Sequence, residues 1–305
     1  MPTIVPTPKI WMNGELVDWD KAQIHVLTHT LHYGMGVFEG IRAYETADGP
    51  AVFRLTDHIK RLHNSAKILM MDMPYTVDEL VQATKDTVRS TGLPSCYVRP
   101  IAYLGYGEMG LNPLPCKVDV AIACWPWGAY LGDDALTKGV RMKISSWQRH
   151  DHNTMPPASK TTGNYVNSSL AKVEALKAGY DEAIMLAPNG LVAECTGENI
   201  FAVRNGRIIT PPISAGALEG ITQHSVMTIA RDLGFDCVVD NLARSDLYIA
   251  EEIFVCGTAA EVSAVNSVDD RKITCPGPIT SAIAATYAKA VRGQDPRYAH
   301  WVEHA

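Results

Sequence analysis

Lys160 stands in the stretch Pro156-Pro157-Ala158-Ser159-Lys160-Thr161-Thr162-Gly163-Asn164-Tyr165. A lysine in a loop is ordinarily a solvated surface charge, but these flanks are unusual. Small residues surround the amine, and Gly-Asn-Tyr then opens a helix with an apolar face, which sets the amine beside a helix start with a phenol close by. Such a setting suits a nucleophilic amine that forms a Schiff base with a carbonyl. The amine must then be neutral, and burial or neighbouring cations bring it down from its free value of about 10.4. A second candidate is the helix opening at Ile221-Thr222, whose unpaired N–H groups and hydroxyl make an anion site.

Other patterns fail on physical grounds. Gly105-Tyr106-Gly107-Glu108-Met109-Gly110 matches the dinucleotide fingerprint, which needs a helix opening at its third glycine; Pro113 and Pro115 forbid that helix. His25, His29 and His32 have helical spacing but lack the glutamate of a zinc protease, so capping, packing or loop contacts account for them. The sequence has no Walker loop, no G-x-S-x-G elbow and no Cys/His framework, so no metal is expected.

Composition points the same way. The 305 residues are 47% apolar and 20% charged, enough for one large or two ordinary domains. A net charge of -6 argues against a nucleic-acid partner. No apolar run approaches the roughly 20 residues of a membrane span, and the N-terminus lacks the pattern of a secretory signal. Seven scattered cysteines without a C-x-x-C pair read as reduced, mostly buried thiols in a cytoplasmic protein.

The elements that must position Lys160 read as follows. KIWMNGELVDW is a hairpin turning at Asn13-Gly14. Helices are expected over about 58–71 and 77–90, the second stopping at Gly92 and Pro94. CYVRPIAYL and VDVAIACW are strands. Pro126, Gly128 and Gly132 mark an interdomain linker over 125–137, separating residues 1–124 from 138–305. Beyond Lys160, Val166, Leu170, Val173 and Leu176 form one apolar helical face. A meander follows with turns at Asn189-Gly190 and Asn205-Gly206, then a helix from Gly220, EIFVCGTAAE as a strand running into a loop, and a last helix, TSAIAATYAKAV. Strands with interspersed helices predict two domains of mixed α/β (α+β) class.

The lysine segment and four others, HYGMGVFEGIRAY (32–44), RLHNSAK (61–67), GLVAECTGENIF (190–201) and FVCGTAAE (254–261), resemble the branched-chain amino acid aminotransferases, fold type IV enzymes that use pyridoxal 5'-phosphate. The segments come in that family's order and cover nearly the whole chain. The resemblance implies a smaller N-terminal α/β domain and a larger, barrel-like C-terminal domain. It implies that Lys160 carries the cofactor as a Schiff base and moves a proton between substrate and cofactor, with Glu194 against the pyridine nitrogen and Tyr165 on the ring hydroxyl. Arg61, Ile221, Thr222, Gly257 and Thr258 would take the phosphate. On the substrate side, Tyr97 with the amides of Thr258 and Ala259 would hold the α-carboxylate. Tyr33, Phe38, Gly40, Trp127, Tyr130 and Tyr165 would wall an apolar pocket, where Arg99 with the hydroxyls of Tyr33 and Tyr130 meets the distal carboxylate of glutamate. Met109 and Leu111 would reach a neighbouring subunit's site, which implies a homodimer or a multiple of it.

The implied reaction is ping-pong amino transfer from L-leucine, L-isoleucine or L-valine to 2-oxoglutarate. One departure is visible: Thr161-Thr162-Gly163 stands where relatives often carry Ala-Gly-Gly, which bears on loop stiffness and leaves the lysine in place. Two other classes keep the fold. One is a D-amino acid or (R)-amine transaminase or an aminodeoxychorismate-type lyase, against which Tyr97, Arg99 and the apolar aromatic set speak. The other is a non-enzymatic binding protein, against which the intact lysine speaks.

Overall fold

The computed structural model describes residues 4–128 and 138–305. Its contacts divide the chain into two units, neither continuous in sequence. Residues 1–128, 159–163 and 289–305 form the first; residues 129–158 and 164–288 form the second. Most of the stretch expected as a linker lies outside the described residues.

In the first unit, β1 (Lys9–Met12) and β2 (Glu15–Asp18) form the expected hairpin, with Asn13 and Gly14 at φ 49° and 103°. A short helix α1 (His29–Tyr33) leads into β3 (Gly36–Phe38), β4 (Ile41–Thr46) and β5 (Gly49–Phe53). Two amphipathic helices follow, α2 (Leu55–Ile68) and α3 (Val77–Thr91). Thr76 and Glu79 close a capping box on α3, and Gly92 ends it at φ 66°. The strands β6 (Cys96–Leu104) and β7 (Val118–Trp125) have the limits of the two expected strand segments and pair antiparallel over their length. The sheet runs β5, β4, β6, β7, β1, β2, with β3 also on β6 and the C-terminal strand Val302–His304 on β5. Its core packs Ile59, Leu62 and Ala66 of α2 and Leu80 and Val88 of α3 with Val98, Val120 and Ile122.

In the second unit, β8 (Val140–Ile144) precedes the helix α4 (Tyr165–Lys177). The meander then supplies β9 (Glu182–Leu186), β10 (Val192–Cys195), β11 (Asn199–Arg204) and β12 (Arg207–Thr210). Next come α5 (Ile221–Asp232), β13 (Cys237–Val239), the short α6 (Arg244–Tyr248), β14 (Glu252–Gly257), β15 (Glu261–Val268), β16 (Arg271–Lys272) and α7 (Pro278–Ala290). The mixed sheet runs β10, β9, β8, β15, β14, β11, β12, β13. Its parallel pairs are β8 with β9, β8 with β15 and β12 with β13.

On α4 the stripe Val166, Leu170, Val173 and Leu176 does share one face, yet these residues are 64%, 42%, 48% and 54% exposed. Ala171 and Ala175 are buried instead, against Ala183 and Met185 of β9. Small residues let the helix backbone approach the sheet, so the small face wins the contact.

The helix α7 is held at its start by Glu252 of β14, whose carboxylate accepts from Ile279 N (3.1 Å), Thr280 N (2.8 Å) and Thr280 Oγ1 (2.7 Å). Gly277 lies so close to Glu252 that a Cβ there would overlap the carboxylate. Glu252→Ala strands buried donors and is expected to cost about 2–3 kcal/mol. Urea unfolding of the two proteins reads this, and equal midpoints would refute it. All seven cysteines are free thiols, and among the described residues no helix is long and apolar enough to cross a membrane.

Candidate active site

In the first unit the lysine segment is laid along β3. Phe38 N donates to Lys160 O (3.1 Å), and Lys160 N donates to Ser65 Oγ of α2 (3.0 Å). Thr162 Oγ1 and Gly163 N both donate to Gly34 O, and Val37 bridges to Thr161. Gly34 and Gly36 permit this approach: a Cβ at Gly34 would sit 3.1 Å from Gly163 Cα, and one at Gly36 would sit 3.3 Å from Thr162. Nζ of Lys160 lies 5.2 Å from the centre of the Phe38 ring. A short backbone clamp therefore fixes the amine's root, and an aromatic face lies under its tip.

One residue beyond Phe38, Glu39 is wholly buried. Arg61 grips it with two hydrogen bonds, Nε to Oε1 (2.7 Å) and Nη2 to Oε2 (2.8 Å), and His58 Nδ1 lies 2.7 Å from Oε2. Burial opposes ionisation of Glu39, but the Arg61 charge and the hydrogen bonds from Arg61 and His58 outweigh it. The carboxyl ends well below its ordinary value. Burial also lowers His58, against the pull of Glu39, and the Arg61 and Lys160 charges lower it further. The ion pair sets the direction in which Arg61 points.

The substrate candidates of this unit gather around Arg99. Its guanidinium lies 4.8 Å from the Phe38 ring centre and 5.3 Å from that of Tyr97, and donates to the Tyr97 hydroxyl at 3.2 Å. Arg99 Nε is buried without a hydrogen-bond partner among the described residues. Trp127 packs on Tyr97 with ring centres 4.7 Å apart. Gly40 is needed here, because a Cβ would collide with the Tyr97 hydroxyl. Tyr33 is half-exposed on α1 against His29, and Met109 and Leu111 stand exposed on the loop after β6. Tyr130 lies outside the described residues. The tempting histidines make loop contacts: His29 Nε2 meets Gly110 O and His32 Nε2 meets Val26 O, each at 2.9 Å.

In the second unit Glu194 projects from β10 into a closed set of partners. Arg149 donates to its Oε1 (2.5 Å) and Leu218 N to its Oε2 (3.0 Å). Leu218 O in turn accepts from Asn199 Nδ2 (3.1 Å), and Asn199 pairs in register with Cys256. Gly257, next along β14, has its Cα face against Gly197 O and Glu198. This chain of contacts brings Glu194, the start of α5 at Ile221-Thr222 and the Gly257-Thr258-Ala259 corner together. The N-cap of α5 is Gly220, which offers no side chain to the first N–H groups, and Thr222 is buried there. Gly220 itself leaves no room for a Cβ beside Asn199. Tyr165 is the first residue of α4.

Glu39, His58, Ser65, Arg149 and Asn199 were given no role in the sequence reading. Glu39 has one usable signal, a lone acid between Val37-Phe38 and Gly40-Ile41. Arg149 had none, because its partners are 18 to 45 residues away.

Comparisons with known proteins give the family of the chain. The sequence model described as amino-transferase class IV matches residues 36–268. A branched-chain-amino-acid aminotransferase of Pseudomonas aeruginosa is 48% identical over 294 residues, covering 96% of this chain and 95% of that protein. The crystal structure of a T.th. branched-chain amino acid aminotransferase with pyridoxamine 5'-phosphate superposes with a TM-score of 0.95 at 49% identity, covering 98% and 99% of the two chains. The same enzyme complexed with 4-methylvaleric acid gives 0.93 at 47% identity, covering 98% of each. The mixed α/β architecture and the lysine-centred site define a fold type IV aminotransferase structure. The chain belongs to the class IV aminotransferase family.

Proposed function

We propose that this protein is a branched-chain-amino-acid aminotransferase, which moves the amino group of L-leucine, L-isoleucine or L-valine to 2-oxoglutarate. The observation that carries the proposal is the clamped Lys160 over Phe38, with Arg61 and Arg99 set by neighbours of Phe38 in the same unit. The near full-length likeness to aminotransferases of that name supports the substrate class.

The residues present fit pyridoxal 5'-phosphate: an amine, a fixed acid, a cation held by a buried carboxylate, and a helix start without a side-chain cap. When bound to an amine, that cofactor supplies an electron sink that makes the substrate's Cα proton removable. Lys160 takes the proton from the substrate's Cα and would deliver it to the cofactor's C4′ carbon, the displacement that amino transfer requires. Arg61, the N–H groups of Ile221 and Thr222, the Thr222 hydroxyl and the Gly257-Thr258 corner bind the phosphate. Glu194 faces the ring nitrogen as an acceptor, and Tyr165 holds the ring hydroxyl.

Tyr97 and the amides of Thr258 and Ala259 orient the α-carboxylate. Phe38, Tyr33, Gly40, Trp127 and Tyr130 exclude water around a branched side chain, and that choice suits the 4-methylvaleric acid bound by the T.th. relative. Arg99 meets the distal carboxylate of glutamate, an anion too costly to bury alone. Met109 and Leu111, exposed in the single chain, complete a site in a second copy. The working form is thus a homodimer or a multiple of it, in the cytoplasm, serving branched-chain amino acid biosynthesis.

A half-reaction panel tests the reading. With purified, cofactor-loaded protein, L-leucine is expected to bleach the cofactor's near-visible band, while D-alanine and (R)-phenylethylamine leave it. Bleaching by D-alanine and not by L-leucine would defeat the substrate assignment. A protein that takes up no cofactor would defeat the reaction class.

A further inference from the structure

The second unit buries three neighbouring carboxyl groups, on Glu182, Glu194 and Glu198. Among the described residues two of them have a cation: Lys172 meets Glu182 at 2.6 Å, and Arg149 meets Glu194 at 2.5 Å. Glu198 accepts from Gly197 N (3.1 Å) on one oxygen, and its other oxygen has no partner among the described residues. Burial, and then the Glu182 charge, push the Glu198 carboxyl well above the usual range.

Arg149 is buried and tightly aimed. Its N–H donates to Leu186 O (2.9 Å), which ties the loop after β8 to β9. One terminal nitrogen donates to Glu194, and the other to Ser168 Oγ (3.1 Å) and Asn167 Oδ1 (3.3 Å) on α4. Glu194 therefore has one fixed donor on each oxygen, Arg149 and Leu218 N–H, and its charge is matched by one buried cation. None of the roles assigned so far uses Arg149.

We propose, resting on the role given to Glu194 above, that Arg149 is the positioning residue for the cofactor's ring nitrogen: it pairs with the Glu194 carboxylate and keeps it turned as an acceptor. A buried carboxylate stripped of its cation is costly and is relieved by binding a proton. In that state Glu194 would offer an O–H to the ring, and the nitrogen would lose its own proton. The other titratable groups facing this cluster, Cys195, Glu182, Glu198 and Lys172, supply no second cation to Glu194.

The test is a double-mutant cycle on the holoenzyme with Arg149→Met and Glu194→Gln. It reads the dissociation constant of pyridoxal phosphate and the pH midpoint of the cofactor's near-visible absorbance, not only turnover. Arg149→Met is expected to weaken cofactor binding on the order of tenfold and to move the midpoint toward the Glu194→Gln value. Arg149→Lys, which keeps a cation, stays nearer the wild type. In the Glu194→Gln background, Arg149→Met adds nothing further. Should Arg149→Met fail to fold, Arg149→Gln, which retains polar contacts to α4, runs the same cycle. Additive effects of the two substitutions would overturn the positioning role while leaving Glu194 in place. A Glu194→Gln protein with wild-type absorbance and affinity would instead overturn the Glu194 assignment itself.

Discussion

Lys160→Ala is expected to lower turnover of L-leucine with 2-oxoglutarate by at least about 10⁴-fold, the upper end of what one positioned acid–base group contributes. On the proposed reading a single amine both anchors the cofactor and carries the proton, so one substitution removes both roles. The fold should survive. The segment is held by backbone and hydroxyl contacts, Lys160 N to Ser65 Oγ, Phe38 N to Lys160 O and Thr162 Oγ1 to Gly34 O, none of which uses the amine. Stability should therefore change little, within about 0.5 kcal/mol. Single-turnover absorbance read beside circular dichroism separates the two outcomes. Residual turnover within tenfold of wild type in a folded variant would move the catalytic role to another group.

Glu39→Gln is expected to cost about 3–5 kcal/mol, because it removes the anion of a buried pair and takes this carboxylate away from Arg61 and His58. The pH dependence follows from the same group. Its folded carboxyl titrates well below the ordinary 4.5, so the stability it supplies is complete above that value and drains away as the pH falls further. His58, lowered by burial, acts in the same direction, since a neutral buried imidazole favours the fold above its ordinary 6.5 and loses that advantage on acidification. Urea midpoints taken from pH 7 to 3 should fall steeply for the wild type and more gently for Glu39→Gln. Parallel curves for the two proteins would show that the pair does not govern acid stability.

How far each feature could be read from the chain depends on whether its cause is local. The hairpin at Asn13-Gly14 and the end of α3 at Gly92 follow from backbone preferences of those residues, and β6 and β7 from apolar-rich runs of strand length. The apolar stripe of α4 shows the limit of periodicity: spacing tells which side chains share a face, while the width available against β9 decides which face is covered. Lys160 stood out because its neighbours are small and a helix follows. Arg61 and Glu194 stood out through resemblance to known enzymes. What fixes them, Glu39 and His58 for the one and Arg149 and Leu218 for the other, is a matter of long-range hydrogen bonds between strands, helices and loops, and no local pattern announces those.

The interleaving of the two units has a practical outcome for anyone who would dissect the molecule. A single cut after residue 128 gives an N-terminal fragment deprived of the five residues around Lys160 and of the strand Val302–His304 that finishes its sheet. The remaining fragment keeps both pieces with nothing to pair them to. Neither half is a module that can be borrowed, swapped or evolved alone, and a gene split at that point yields working protein only if the two products fold around each other.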